Sequence, residues 1–403
     1  SIDGHYPVFT ALVQLVIMCV SMVYFVYSLP FRKEVQNVTL LVFFSLPIYG
    51  FFAMSISHDL TQTAGIVLLV AIEIRRLRNI EEDRLLLIIL CASLLLITTH
   101  TGMIIFGLAL LRNFLFLKQW KTLLLSTIVL SVFFFSSVGL TRGLNVYGNF
   151  TNSSQVKYWS LLAGMKCAVQ HEAADLSQKD WSVLLKIASR DNWIEPVSCQ
   201  NYDYQINALK LSERNYDFSN MEFLETYVSI ARKNTAVMAM SHIQRARGVL
   251  PPLLFQPPGN QVSLDVDVPV GQGTNTALQG GPVFLHPSID IPGGEDFKPQ
   301  LFEVLEIPAQ GLGFIFNQAS WFWGWGGLWL FAGMILLTNR INQKKIRTVV
   351  AVFYAPIAMH LLLIIFIPAS MPRYYIYSIV IGLSIAIAYV TSGIIERSRR
   401  IER

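Results

Sequence analysis

A chain of 403 residues that is 53% hydrophobic and 14% charged, with a mean hydropathy of +0.48, has the composition of a polytopic membrane protein rather than of a soluble globular one. The net charge of +5 sits mostly in short loops between apolar segments, so it is a topological bias and no argument for a nucleic-acid partner.

In chain order, the apolar segments are residues 8–29, 38–54, 60–74, 85–117, 123–140, 317–337, 348–367 and 375–395. Several are shorter than the usual ~20 residues and need thinned bilayer or a cavity at one end. The fourth segment decides the topology. Leu85 to Leu111 carries no Lys, Arg, Asp or Glu, yet Thr98-Thr99-His100-Thr101-Gly102 interrupts it. One helix would rise about 40 Å, beyond a ~30 Å hydrocarbon core, with a polar cluster at its centre. Two short helices with a turn at His100 avoid both problems, which gives nine spans.

Charge supports the same choice. Nine spans put Arg32/Lys33, Arg75/Arg76/Arg78/Arg84, Arg112/Lys118/Lys121, Arg340/Lys344/Lys345/Arg347 and Arg397/Arg399/Arg400/Arg403 on one face. Arg373 alone is left in the short loops of the other. Eight spans would send the last three groups to the wrong side. The fold class expected is therefore all-α and polytopic, with residues 1–140 forming about six spans and 314–403 three spans and a basic cytoplasmic tail. Residues 141–313 form a mainly α extracytoplasmic domain. Asp3-Gly4-His5-Tyr6-Pro7 is unlike the basic start of a cleavable signal, and a chain that begins outside leads us to expect at least one further upstream span.

Within the hydrophilic region, residues 155–247 read as helical. Leu161, Leu162 and Met165 begin one helix, and Ser177 with Asp180 caps another. Residues 221–247 form the longest amphipathic stretch, with Phe223, Tyr227, Ile230, Val237, Met240 and Ile243 on one side and Arg232, Lys233, Arg245 and Arg247 on the other. It reads either as a helix lying on a bilayer or as one packed into the domain. Residues 248–308, rich in Pro and Gly, read as loops with a small β element near 262–268. There, Gly271-Gln272-Gly273 lacks the strand–helix context of a nucleotide motif, and Asp265-Val266-Asp267 fits strand alternation. Cys19 and Cys91 fall in spans as packing residues. Cys167 and Cys199 share the outer domain, where an oxidising compartment favours a disulfide; two buried thiols are the alternative.

This topology gathers ionisable residues on the outer face. Asp3 and His5 precede the first span, His58 and Asp59 the third, and His100 marks the turn; Arg373 and Tyr374 precede the last span. Such groups near a membrane face a cavity or one another. Each also has a plainer role: Asp59 as an N-cap, His100 as a turn residue, Arg373 as an interface anchor. No ligand spacing supports a metal among them. His360 reads as a packed polar residue, and apart from it the spans show no charge at mid-membrane depth.

In their order, Asp3-Gly4-His5-Tyr6-Pro7-Val8, Ser57-His58-Asp59, Thr99-His100-Thr101-Gly102 and Met371-Pro372-Arg373-Tyr374 resemble the motifs of the GT-C superfamily of membrane glycosyltransferases. The nearest likeness is to bacterial mannosyl- and arabinosyltransferase-like members. In the soluble part, Trp193 to Cys199, Glu222-Phe223-Leu224 and Ser241 to Pro252 are similar to their outer domain. The resemblance implies a multi-pass enzyme of the bacterial plasma membrane that moves a sugar from a polyprenyl-phosphate donor to a glycan, lipid or protein acceptor. No cofactor is certain, and a divalent metal has no support. Asp3 or a residue upstream would be the base, and Asp59 would orient the base or the acceptor. Arg373, helped by His100, would hold the departing phosphate, with His5, His58 and Tyr374 lining the substrate site. The family's first acidic motif lies in a loop that this chain only begins. A transporter or flippase of lipid-linked glycans, an oligosaccharide ligase, or a non-catalytic subunit whose outer domain binds partners would share this topology.

Overall fold

The computed structural model describes residues 7–45, 58–78, 85–96, 100–117, 128, 158–172, 176–197, 199, 202–211, 216, 218, 220–245, 326–341, 346–365 and 376–401. Among these residues the chain is helical and carries no strand. The β element expected near 262–268, and the loops around it, lie outside the described residues. The chain divides into two compact units: Ser1–Val146 with Pro251–Leu361 and Met371–Arg403, and Tyr147–Leu250 with Leu362–Ser370.

In the first unit, helix α1 spans Pro7–Ser28, α2 Lys33–Ser45, α3 His58–Leu77, α4 Leu85–Leu96 and α5 His100–Leu117. Leu85–Leu117 is thus two helices. Their directions follow from side-chain contacts. Leu95 and Leu96, at the end of α4, lie against Gly65 near the start of α3, so α3 and α4 form an antiparallel pair. A β-carbon at Gly65 would come within 3.0 Å of Leu96, which is why the helices close here only over a glycine. Gln62 of α3 donates to Thr101 of α5 (2.8 Å), and Glu73 further along α3 pairs with Arg112 further along α5. The spacing is the same on both helices, so α3 and α5 run parallel and the chain reverses between Leu96 and His100.

Among the described residues, one helix is long and apolar enough to cross a bilayer, Ile376–Arg400, alongside shorter apolar helices such as Val13–Ser28 and Thr101–Arg112. It belongs to α15 (Ile376–Ile401), which packs on α12 (Gly326–Ile341). The two backbones touch: a β-carbon at Gly382 would sit 2.0 Å from the Trp329 carbonyl oxygen. The segment expected as one span over 348–367 is interrupted. Helix α13 (Ile346–Val352) ends at Phe353, and α14 (Tyr354–Ile365) resumes with Pro356 in its first turn. Proline has no N–H to continue the ladder, so the break falls before it.

The second unit is built around α6 (Trp159–Glu172), against which α8 (Arg190–Ile194), α9 (Tyr202–Leu209), α10 (Met221–Lys233) and α11 (Thr235–Arg245) pack; α7 (Gln178–Ile187) joins through α10. Its core contains Leu162, Val169, Leu184, Trp193, Phe223 and Ile230. Ser177 caps α7 in a reciprocal box with Asp180. The amphipathic stretch expected as one helix is two, a correction with a local cause. Buried Asn234 leaves helical geometry (ψ 34°) and turns its side-chain amide onto the Ile230 carbonyl, 3.2 Å away. With Phe223 and Ile230 in the core, α10 is a packed helix.

Candidate functional site

The contacts fix which helix ends lie together in the first unit. Arg75 stacks on Tyr24, and Arg78 donates to the carbonyls of Ser28 and Leu29, so α1 and α3 end together. Packed along each other and about 33 and 30 Å long, they also begin together. Helix α5 is parallel to α3. Tyr354, which opens α14, lies against Arg112 (4.7 Å), whereas Met359 meets Gln62 (3.3 Å), so α14 runs the opposite way. The Tyr377 hydroxyl in the first turn of α15 is 2.5 Å from His360 Nδ1, at the Gln62 end. Far along α15, Glu396 pairs with Arg340, which reaches the Pro30 carbonyl (3.3 Å). Helices α1, α3, α5 and α15 therefore all start at one end.

These are the helices whose starts carry the residues singled out from sequence. His58 and Asp59 open α3 and His100 opens α5, within one turn of the Gln62–Thr101 hydrogen bond. Asp3 and His5 precede α1, and Arg373 and Tyr374 precede α15; all four lie outside the described residues. Below the helix starts, Gln62 and Thr63 are buried, and Gln62 joins three helices through Thr101 and Met359. Nothing in the sequence signals this link, because its partners are far apart in the chain.

The opposite end is ionic. Glu73, 5% exposed, pairs with Arg76 (2.9 Å) and Arg112, and Arg112 lies over the Tyr354 ring. Arg399 pairs with Glu34 at 2.6 Å. Glu73 falls inside the 60–74 segment, one residue from its arginine-rich end. A buried carboxylate persists in such a place only with cations in contact, and two guanidinium groups supply them. His360 is buried as expected, but it faces Tyr377 and the Pro356 carbonyl (3.2 Å).

In the second unit, Cys167 and Cys199 form a disulfide with Cα atoms 5.4 Å apart. Their sulfurs and a ring nitrogen of His171 lie within 4.8 Å of one another. Nearby, buried Lys166 donates to the carbonyls of Trp193 (2.9 Å) and Glu195 and to Gln170 (3.3 Å), fastening the end of α8 onto α6. Burial pulls the Lys166 ammonium down to about 8, against the opposing pull of Glu195. Asp180 shows the reverse balance. Burial alone would raise its carboxyl, but hydrogen bonds from Ser177 and from Lys233 (3.0 Å) hold it below its ordinary value.

Comparison of the chain with models of protein families, with curated proteins and with solved structures finds no match.

Proposed function

We propose that this chain is a nine-span membrane glycosyltransferase that moves a sugar from a polyprenyl-phosphate donor to an acceptor hydroxyl at the extracytoplasmic face of a bacterial plasma membrane. One observation carries the reading: the helices that begin at or just after Asp3/His5, His58/Asp59, His100 and Arg373/Tyr374 start at one end, opposite the arginine-rich end. A lipid-linked donor keeps its tail in hydrocarbon and its phosphate at the surface. The reaction needs a carboxylate to accept the hydroxyl proton and a cation for the departing phosphate. On this reading Asp3, or an acidic residue upstream of it, is the base. Asp59 orients base or acceptor, and Arg373 with His100 receives the phosphate.

A transporter of lipid-linked glycans would need charge midway through the bundle. Glu73 is the nearest candidate, but it lies about 6 Å from the end of α3 and its arginines engage it. The transferase reading is favoured.

The test is sugar transfer from a polyprenyl-phosphate donor in membranes carrying the full chain. Asp59→Asn and Arg373→Ala should each lower the rate about 100-fold or more. Undiminished transfer in both removes the assignment. Orientation is checked by a membrane-impermeant thiol reagent, which should label Thr101→Cys from outside and leave Lys344→Cys unlabelled.

A further inference from the structure

Cys167 and His171 are one turn apart on α6 and so share a helix face, and Cys199 is brought to that face from the segment after α8. The disulfide is not the only bond holding Cys199 there. Gln170 donates to the Val197 carbonyl (2.8 Å) and to the Cys199 sulfur (3.0 Å), and it accepts from the Val197 N–H (3.1 Å). Ser241 of α11 donates to the Cys199 carbonyl (3.3 Å). Cutting the S–S bond therefore leaves both sulfurs anchored beside His171. Cys167 is buried, His171 is exposed, and the cluster opens on a cleft of about 430 Å³ walled on the far side by Val237, Met240 and Ser241.

We propose that Cys167, Cys199 and His171 form a redox-gated binding site for zinc or a similarly thiophilic divalent ion, closed while the disulfide is intact and opened by a thiol reductant. The opening step balances as thiol–disulfide exchange. Two reductant thiols become one disulfide, their two hydrogens pass to Cys167 and Cys199, and the protein S–S bond breaks. The ion then displaces both thiol protons to solvent and binds two thiolates and an imidazole nitrogen, while the cleft leaves the fourth position to water. A tetrahedral zinc holds its sulfur ligands about 3.8 Å apart. Side-chain rotation reaches that separation from Cα atoms 5.4 Å apart. The site is independent of the transferase reading.

The experiment uses the full chain in detergent with Cys19→Ala and Cys91→Ala, so that Cys167 and Cys199 are its only thiols. The protein is reduced with a water-soluble phosphine, which becomes the phosphine oxide, and titrated with Co²⁺ as a spectroscopic stand-in for zinc. After reduction we expect one Co²⁺ per chain, with a thiolate-to-cobalt charge-transfer band and tetrahedral visible absorption, both abolished by Zn²⁺. Before reduction neither should appear. Because outer-shell partners alone change metal affinity about 10- to 100-fold, His171→Ala should weaken binding at least about tenfold. Cys199→Ser should remove the band. No band after reduction, a band surviving Cys199→Ser, unchanged affinity in His171→Ala, or loss of the helical circular dichroism on reduction would each overturn the proposal.

Discussion

In the first unit Val16, Val20, Leu41, Phe331, Val390 and Ile394 are all more than half exposed, whereas in the second Trp193, Phe223, Leu184 and Ile187 are buried. The surface of the second unit carries the ion pairs Lys179–Glu225 and Lys186–Glu222, and among its described apolar residues Met221 and Met240 are more than half exposed. Hydroxyl groups divide this way only in part, since Thr235 of the second unit also returns its hydrogen bond to the Ala231 carbonyl. Ser21, Ser28, Thr39, Ser93 and Ser384 return their hydrogen bonds to the carbonyl one turn back in their own helices. Ser177 and Ser189 in the second unit accept from N–H groups at helix starts. A hydroxyl that folds back on its helix satisfies itself without water, as hydrocarbon requires. One used as a cap helps a short helix survive in water. On the function proposed above, the exposed apolar side chains of the first unit face lipid and the capped helices of the second face water.

That contrast can be broken by mutation. The largest effect expected is from Trp193→Ala, which empties the core of the second unit and removes the indole N–H hydrogen bond to the Leu184 carbonyl (2.9 Å). It should cost about 3–5 kcal/mol, read by urea denaturation of the full chain followed through proteolysis within residues 158–245. Next is Val20→Asp on the exposed side of α1. If that side faces lipid, integration should weaken by about 2.5–3.5 kcal/mol in a membrane-insertion assay. The matching change in the second unit, Val228→Asp, should stay within about 0.5 kcal/mol. Equal tolerance of both would erase the distinction.

Smaller effects sharpen the comparison through pH. Ser177→Ala should cost the second unit about 1 kcal/mol. The folded Asp180 carboxyl lies below its unfolded value, so its contribution is complete above the ordinary carboxylate range and lost as pH falls through the folded pKa. Acid denaturation should therefore begin at higher pH in Asp180→Asn. Lys166 gives the same sign at higher pH from a different cause, burial of its charged form. Folded near 8 and unfolded near 10.5, it binds fewer protons when folded, so stability should rise between those values, and Lys166→Met should flatten the rise.

The reversal before His100 could be read from sequence because a continuous helix there would be too long and too polar at its centre. Ser177 and Asp180 announced their cap because a capping box is local. What could not be read depended on distance or on a single residue. Glu73 looks misplaced in an apolar run until Arg112 is brought to it. Asn234 breaks a regular apolar period by one side-chain hydrogen bond. His171 carried a local clue, four residues after Cys167 on a helix, but its partner Cys199 comes from elsewhere. For the candidate active centre, the sequence indicated which helix starts belong together; Asp3, His5, Arg373 and Tyr374 themselves lie outside the described residues.

Where α12 and α15 touch, Gly382 leaves no room for even one methyl group beside the Trp329 carbonyl. Alanine at this position would act as a wedge between two rods, and α15 would pivot away from its neighbour. Tyr377, in the first turn of α15, would swing with it, so a change with no polar atom in it would part that hydroxyl from His360.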